Sequence, residues 1–139
     1  MHNNMKPKIY VLVGVPASGK SWVCSQLREQ YHHLAHDEYA RDAYVAALKS
    51  AAQGNRPILA EAPFNAADLV AKLRMSAIPT EQILVTAPLN TITARYYERN
   101  GKDYPANFRT NHGRYEADSS RFWFSGTSSQ VVDKLKGLL

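Results

Sequence analysis

Short apolar runs alternate along the chain with longer stretches whose apolar positions recur at helical spacing. Lys8-Ile9-Tyr10-Val11-Leu12-Val13 is apolar and β-rich and stops at Gly14, the pattern of a strand buried on both faces. From Ser21 to about Tyr31 the spacing turns helical, with Val23 and Leu27 on one face. His33-Leu34-Ala35 reads as a second short strand. A long helix is predicted from Asp37 to Gln53, stopped by Gly54. Pro57 to Ala60 gives a third strand with Glu61 at its C-terminal edge, and Ala66 to Met75 another helix. Gln82 to Thr86 is the fourth strand. Leu89 to Arg99 is a helix broken by Asn100-Gly101, a strong turn pair. Lys102 to Ala106 reads as loop, Asn107 to Asp118 as helix, and Arg121 to Ser125 as a fifth strand with Phe122-Trp123-Phe124 in its core. Ser128 is expected to cap a last helix, Gln130 to Leu139, striped by Val131, Val132, Leu135 and Leu138.

Strand and helix alternating in this way predict an α/β fold, a parallel sheet of four or five strands with helices on both faces. The 139 residues contain no repeat, linker or low-complexity segment and fit one domain, 1–139. Hydrophobic content of 45% and charged content of 21% are ordinary globular values and exclude a disordered chain. No apolar run reaches the ~18 residues of a membrane span, and residues 1–8 lack the apolar segment of a signal peptide. A cytoplasmic protein is expected. Cys24 is the only cysteine, which excludes an internal disulfide and reads as a small buried helix residue.

The net charge of +5 points to an anionic partner, nucleic acid or simply a nucleotide. Arg95, Arg99, Lys102, Arg109 and Arg114 form a modest basic stretch interrupted only by Glu98 and Asp103.

Gly14-Val15-Pro16-Ala17-Ser18-Gly19-Lys20-Ser21 is a complete phosphate-binding loop, G-x-x-x-x-G-K-S, set between a strand and a helix. Gly14 and Gly19 let the backbone turn its amides inward to make an anion site at a helix N-terminus. Lys20 would reach the β- and γ-phosphates of ATP and face solvent without nucleotide, and Ser21 would bind Mg²⁺. A GTPase is disfavoured because no Asn-Lys-x-Asp is present.

A kinase also needs a carboxylate for the acceptor hydroxyl and positive charge for the transferring phosphoryl group. In an open α/β sheet both belong at the C-terminal ends of the strands, where Asp37 and Glu61 fall. Arg41 lies four residues after Asp37 on the predicted helix, so the pair is either an acceptor site or a helix cap with a solvated partner. Glu61 is either a ligand to Mg²⁺ or a surface acid. Arg95 and Arg99, also four apart, either close over the nucleotide from a lid at about 95–118 or are solvated. Tyr96 and Tyr97 read as helix core before base-stacking residues. His32, His33 and His36 show no metal-ligand spacing.

The loop, with Trp22 after it and Asp37-Glu38-Tyr39 after the second strand, resembles the kinase domain of phage-type polynucleotide kinases. That family sits among small P-loop kinases that include hydroxymethyluracil-DNA kinases, zeta-toxin-like kinases and chloramphenicol phosphotransferases. The resemblance implies sheet order 2-3-1-4-5, Asp37 as the carboxylate activating the acceptor, Arg95 and Arg99 as lid arginines, and Glu61 with Asn65 after the third strand. Ala40 stands where the family has an arginine, which comes one position later as Arg41, and Glu61 replaces a more usual aspartate. The implied activity is transfer of the γ-phosphate of ATP, with Mg²⁺, to a hydroxyl of a nucleic acid, a 5′-hydroxyl or a hydroxymethylated base. A small-molecule kinase and a non-catalytic nucleotide switch are the alternatives.

Overall fold

The structure is a computed structural model that describes residues 7–40, 43–62 and 66–139. Five parallel strands form one sheet: β1 (Ile9–Val13), β2 (His32–Ala35), β3 (Ile58–Glu61), β4 (Thr80–Val85) and β5 (Phe124–Gly126), in the order β2-β3-β1-β4-β5. The helices between them are α1 (Lys20–Leu27), α2 (Ala43–Ala51), α3 (Ala67–Met75), α4 (Leu89–Asn100), α5 (Ala106–Ala117) and α6 (Ser128–Lys136).

β1 shows why its apolar run has no alternation. Ile9, Val11 and Val13 point into one core with Tyr44 and Leu48 of α2, Val70 and Leu73 of α3, and Ile92 of α4. Tyr10 and Leu12 point into the other, with Val23 and Leu27 of α1 and Val131 and Leu135 of α6. All five residues of the strand are buried. A central parallel strand covered on both faces requires apolar residues at every position.

Four expectations shift. The long helix from Asp37 is instead a short 3₁₀ turn, His36–Glu38, followed by extended backbone at Tyr39, with α2 beginning at Ala43. The Tyr44 hydroxyl lies 2.8 Å from the carbonyl oxygens of both Leu34 and Glu61, which share its single proton, and so ties the start of α2 to the ends of β2 and β3. Asp37 therefore does not cap α2.

β4 starts two residues early because Thr80 and Glu81 pair with Ile9 and Tyr10. β5 starts three residues late. Ser119–Arg121 forms a 3₁₀ turn that turns Phe122 into the core and leaves Trp123 38% exposed, so that triplet is not strand core. The cap of α6 is Thr127, whose side chain accepts from the Gln130 amide while Gln130 Oε1 accepts from the Thr127 amide at 2.9 Å. Ser128 is the first helical residue, and Leu138 lies beyond the helix and is exposed. Among the described residues, no helix is long and apolar enough to cross a membrane.

Candidate phosphate-binding and acceptor site

The loop between β1 and α1 is built around close approaches that only glycine permits. A Cβ on Gly14 would lie 2.5 Å from the Val85 carbonyl oxygen, and one on Gly19 2.9 Å from Ser128 Cβ. Gly19 also has φ +111°, and Ala17 is left-handed at φ 67°, so the loop holds a strained non-glycine residue. The Ser18 hydroxyl is buried with no hydrogen-bond partner among the described residues. Backbone turned at these two positions at the head of α1, with an orphaned hydroxyl inside, suits a bound anion.

Lys20 does not project into solvent. Its ammonium folds back and donates to the Gly14 carbonyl. Burial pushes its pKa down, and the nearby negative charge of Glu61 works against that shift.

Parallel pairing brings Glu61 beside the loop. It is opposite Leu12 on β1 and Ala35 on β2, at the C-terminal edge of the sheet. Ser21 Oγ donates to Glu61 Oε1 at 2.9 Å, and His33 Nε2 is 2.6 Å from Glu61 Oε2. The His33 hydrogen bond is the main reason that the Glu61 carboxyl is held below its usual range; burial opposes it, and Ser21 and Lys20 assist. Ser21 and Glu61 together form an oxygen donor pair suited to Mg²⁺.

This pKa shift has a sign that can be checked. A carboxylate with a depressed folded pKa contributes stability above the unfolded carboxylate range, lost as pH falls through the folded value. Glu61→Gln should therefore melt below the parent at neutral pH, and the gap should close on acidification. A gap independent of pH would mean that the charge of Glu61 does not stabilise the fold.

Asp37 lines one cavity of about 380 Å³ together with Lys20, Ser21, Arg28, His33 and Glu61. The carboxylate predicted at the end of the second strand thus faces the same space as the loop lysine. Arg95 Nη1 donates to the Ala17 carbonyl oxygen of the loop at 3.3 Å. Arg99, one turn further along α4, is exposed, as are Lys102, Arg109 and Arg114. Arg41 and Asn65 lie outside the described residues.

Three residues at the site were not singled out in the sequence for a role there. His33 meets Glu61 only through the β2–β3 register, which no local spacing reveals. Tyr104 donates to the Pro16 carbonyl at 2.8 Å and packs edge-on against Tyr96, with Phe108 alongside. Ser128 packs against Gly19 from the head of α6. Tyr96 is half-buried and packs against the core, whereas Tyr97, expected there too, is 58% exposed.

Compared with models of protein families and with curated protein sequences, the chain matches none. Its fold is similar to that of a gluconokinase from Sinorhizobium meliloti 1021, with 19% identity, a TM-score of 0.55, and 80% of this chain and 75% of that one covered. It is also similar to a tunicamycin resistance protein from Deinococcus radiodurans, with 16% identity, a TM-score of 0.68 and coverage of 96% and 95%. An uncharacterized protein from Eubacterium ventriosum ATCC 27560 matches at 17% identity and a TM-score of 0.61, with 96% and 98% covered. The chain has the α/β fold of these proteins, an all-parallel five-stranded sheet in the order 2-3-1-4-5 flanked by helices.

Proposed function

We propose that this protein is an ATP-dependent phosphotransferase that phosphorylates a hydroxyl group of a small polar molecule. The observation that carries the reading is the shared cavity in which Lys20, Ser21 and Glu61 meet Asp37. Backbone amides of the loop, from residues other than Pro16, and the Lys20 ammonium hold the β- and γ-phosphates of ATP. Ser21 and Glu61 would hold Mg²⁺, which when bound would neutralise phosphate charge. Asp37 takes the proton of the acceptor hydroxyl as its oxygen attacks the γ-phosphorus; the bond to the bridging oxygen breaks and ADP leaves. Arg95, against the loop, adds positive charge where the transferring group becomes more anionic.

The acceptor class follows from size and charge. The cavity is of the volume that suits a small ligand. Asp37, Glu38 and Glu61 outnumber Lys20 and Arg28 on its walls, which is not the continuous basic groove a polynucleotide requires. The names of the gluconokinase and the tunicamycin resistance protein both refer to small molecules. One observation favours the nucleic-acid acceptor, the exposed cations Arg99, Lys102, Arg109 and Arg114 on and between α4 and α5.

The test is γ-labelled ATP with Mg²⁺, offered with sugars, nucleosides, hydroxylated antibiotics, 5′-hydroxyl oligonucleotides and hydroxymethylated DNA. Label on a small alcohol is expected. Label on an oligonucleotide overturns the acceptor class while keeping the phosphotransfer. ATP binding with no acceptor labelled favours a nucleotide switch.

Arg95 and Arg99 offer a second check. Arg95→Ala should lower turnover at least about tenfold, roughly 1.4 kcal/mol of transition-state stabilisation, with little change in melting temperature. Arg99→Ala, further from the loop, should have a smaller effect in the same direction. Parallel loss of melting temperature and activity would mark these arginines as structural.

A further inference from the structure

Cys24, His33 and Glu61 come from three different elements, α1, β2 and β3, and converge beside the phosphate-binding loop. Cys24 Sγ, a ring nitrogen of His33 and a carboxylate oxygen of Glu61 all lie within 4.8 Å of one another. Among the described residues, no other three such side chains converge in this way. The geometry points to a binding site for a borderline-soft divalent metal of the Zn²⁺ class, with these three side chains as ligands.

The donor set argues for that class. Thiolate and imidazole favour Zn²⁺ and similar ions, whereas Mg²⁺ takes oxygen donors and holds its water. Three protein ligands with a fourth position left open is a familiar zinc arrangement. Bonds of about 2.0–2.3 Å in a tetrahedron place ligand atoms roughly 3.3–3.8 Å apart. The 2.6 Å contact between His33 and Glu61 must open by about an ångström, and the sulfur, within 4.8 Å of both, must close by at most about 1.5 Å.

Access and charge are compatible with an ion. Cys24 itself is buried, but His33 and Glu61 line the cavity of about 380 Å³, which gives an entry path. Burial holds the Cys24 thiol protonated in the metal-free chain. Binding therefore exchanges that proton, released to solvent, for a metal–sulfur bond. The Lys20 ammonium repels a cation, and the two anionic ligands offset it. Ser21 bonds to Oε1 of Glu61 and His33 lies against Oε2, so the one carboxylate faces both the loop and the thiol-containing site.

Cobalt(II) tests this without reference to catalysis. Cys24 is the only cysteine in the chain, so a thiolate-to-cobalt charge-transfer band in the full-length protein identifies it as a ligand. Titration of Co²⁺ into the reduced, metal-free protein should give that band and the intense visible bands of a tetrahedral ion, and Zn²⁺ should displace both. Cys24→Ala should lose the charge-transfer band. His33→Ala should weaken binding at least about tenfold, a loss that removing even a supporting group commonly causes. A cobalt spectrum without the thiolate band, or no uptake of Co²⁺, overturns the site. Because the parent spectrum decides the matter, the result stands even if a variant fails to fold, and it is independent of whether the protein phosphorylates anything.

Discussion

Asp37→Asn should lose about 10²–10⁴-fold in phosphoryl transfer, the range for removal of a general base, while binding ATP as the parent does. Asp37 sits in the short turn after β2, exposed, and lines the cavity that reaches Lys20 and Ser21. Asparagine preserves its size but cannot accept the acceptor's proton. The structure sharpens the expectation, because α2 begins at Ala43 and Asp37 holds no helix end. Substitution at an exposed position with no such duty typically shifts stability by within about 0.5 kcal/mol. Melting temperature should therefore stay within a few degrees of the parent. Slow ATP hydrolysis can persist, since water needs less positioning than a bulky acceptor. Unchanged transfer would move the search for the base to Glu61.

Lys20→Ala should reduce transfer by at least about a hundredfold, because the ammonium stabilises charge that grows on the phosphoryl oxygens. In the structure this ammonium donates to the Gly14 carbonyl. Burial pushes its pKa down, and the nearby charge of Glu61 opposes that shift. Truncation removes that buried charge along with one hydrogen bond, so the fold should remain and the melting temperature should change little. Turnover near that of the parent would contradict the role given to the loop.

What the sequence made legible was what chemistry forces into contiguous residues. The proposed phosphate site, made of backbone amides, would need Gly14, Gly19, Lys20 and Ser21 at fixed spacing, and the β1 run before it had to be apolar throughout to serve as a central strand. Asp37 and Glu61 were readable because parallel strands send their C-terminal ends to one edge. Contacts made by register or by distant packing were not. His33 faces Glu61 across 28 positions, and Tyr104 reaches Pro16 across 88. Cys24 read as an inert core residue because nothing nearby in sequence shows what its sulfur approaches. Local turn chemistry was readable only in part. The extended Tyr39 that splits the expected helix carries no glycine or proline, and Thr127 was passed over for its neighbour Ser128. The nucleic-acid acceptor was implied by the family resemblance; net charge pointed only to an anionic partner, and folding decides where a molecule is positive.

The central claim is that the phosphate-binding loop and Asp37 work in one cavity on one reaction. Its most direct test is acceptor-dependent transfer from γ-labelled ATP, measured side by side for the parent and Asp37→Asn at saturating ATP. The parent should place label on an alcohol only when Mg²⁺ and acceptor are both present, and Asp37→Asn should bind ATP equally well yet place almost none. Equal labelling by the two proteins, or ATP turnover in the parent that no acceptor changes, would contradict the claim.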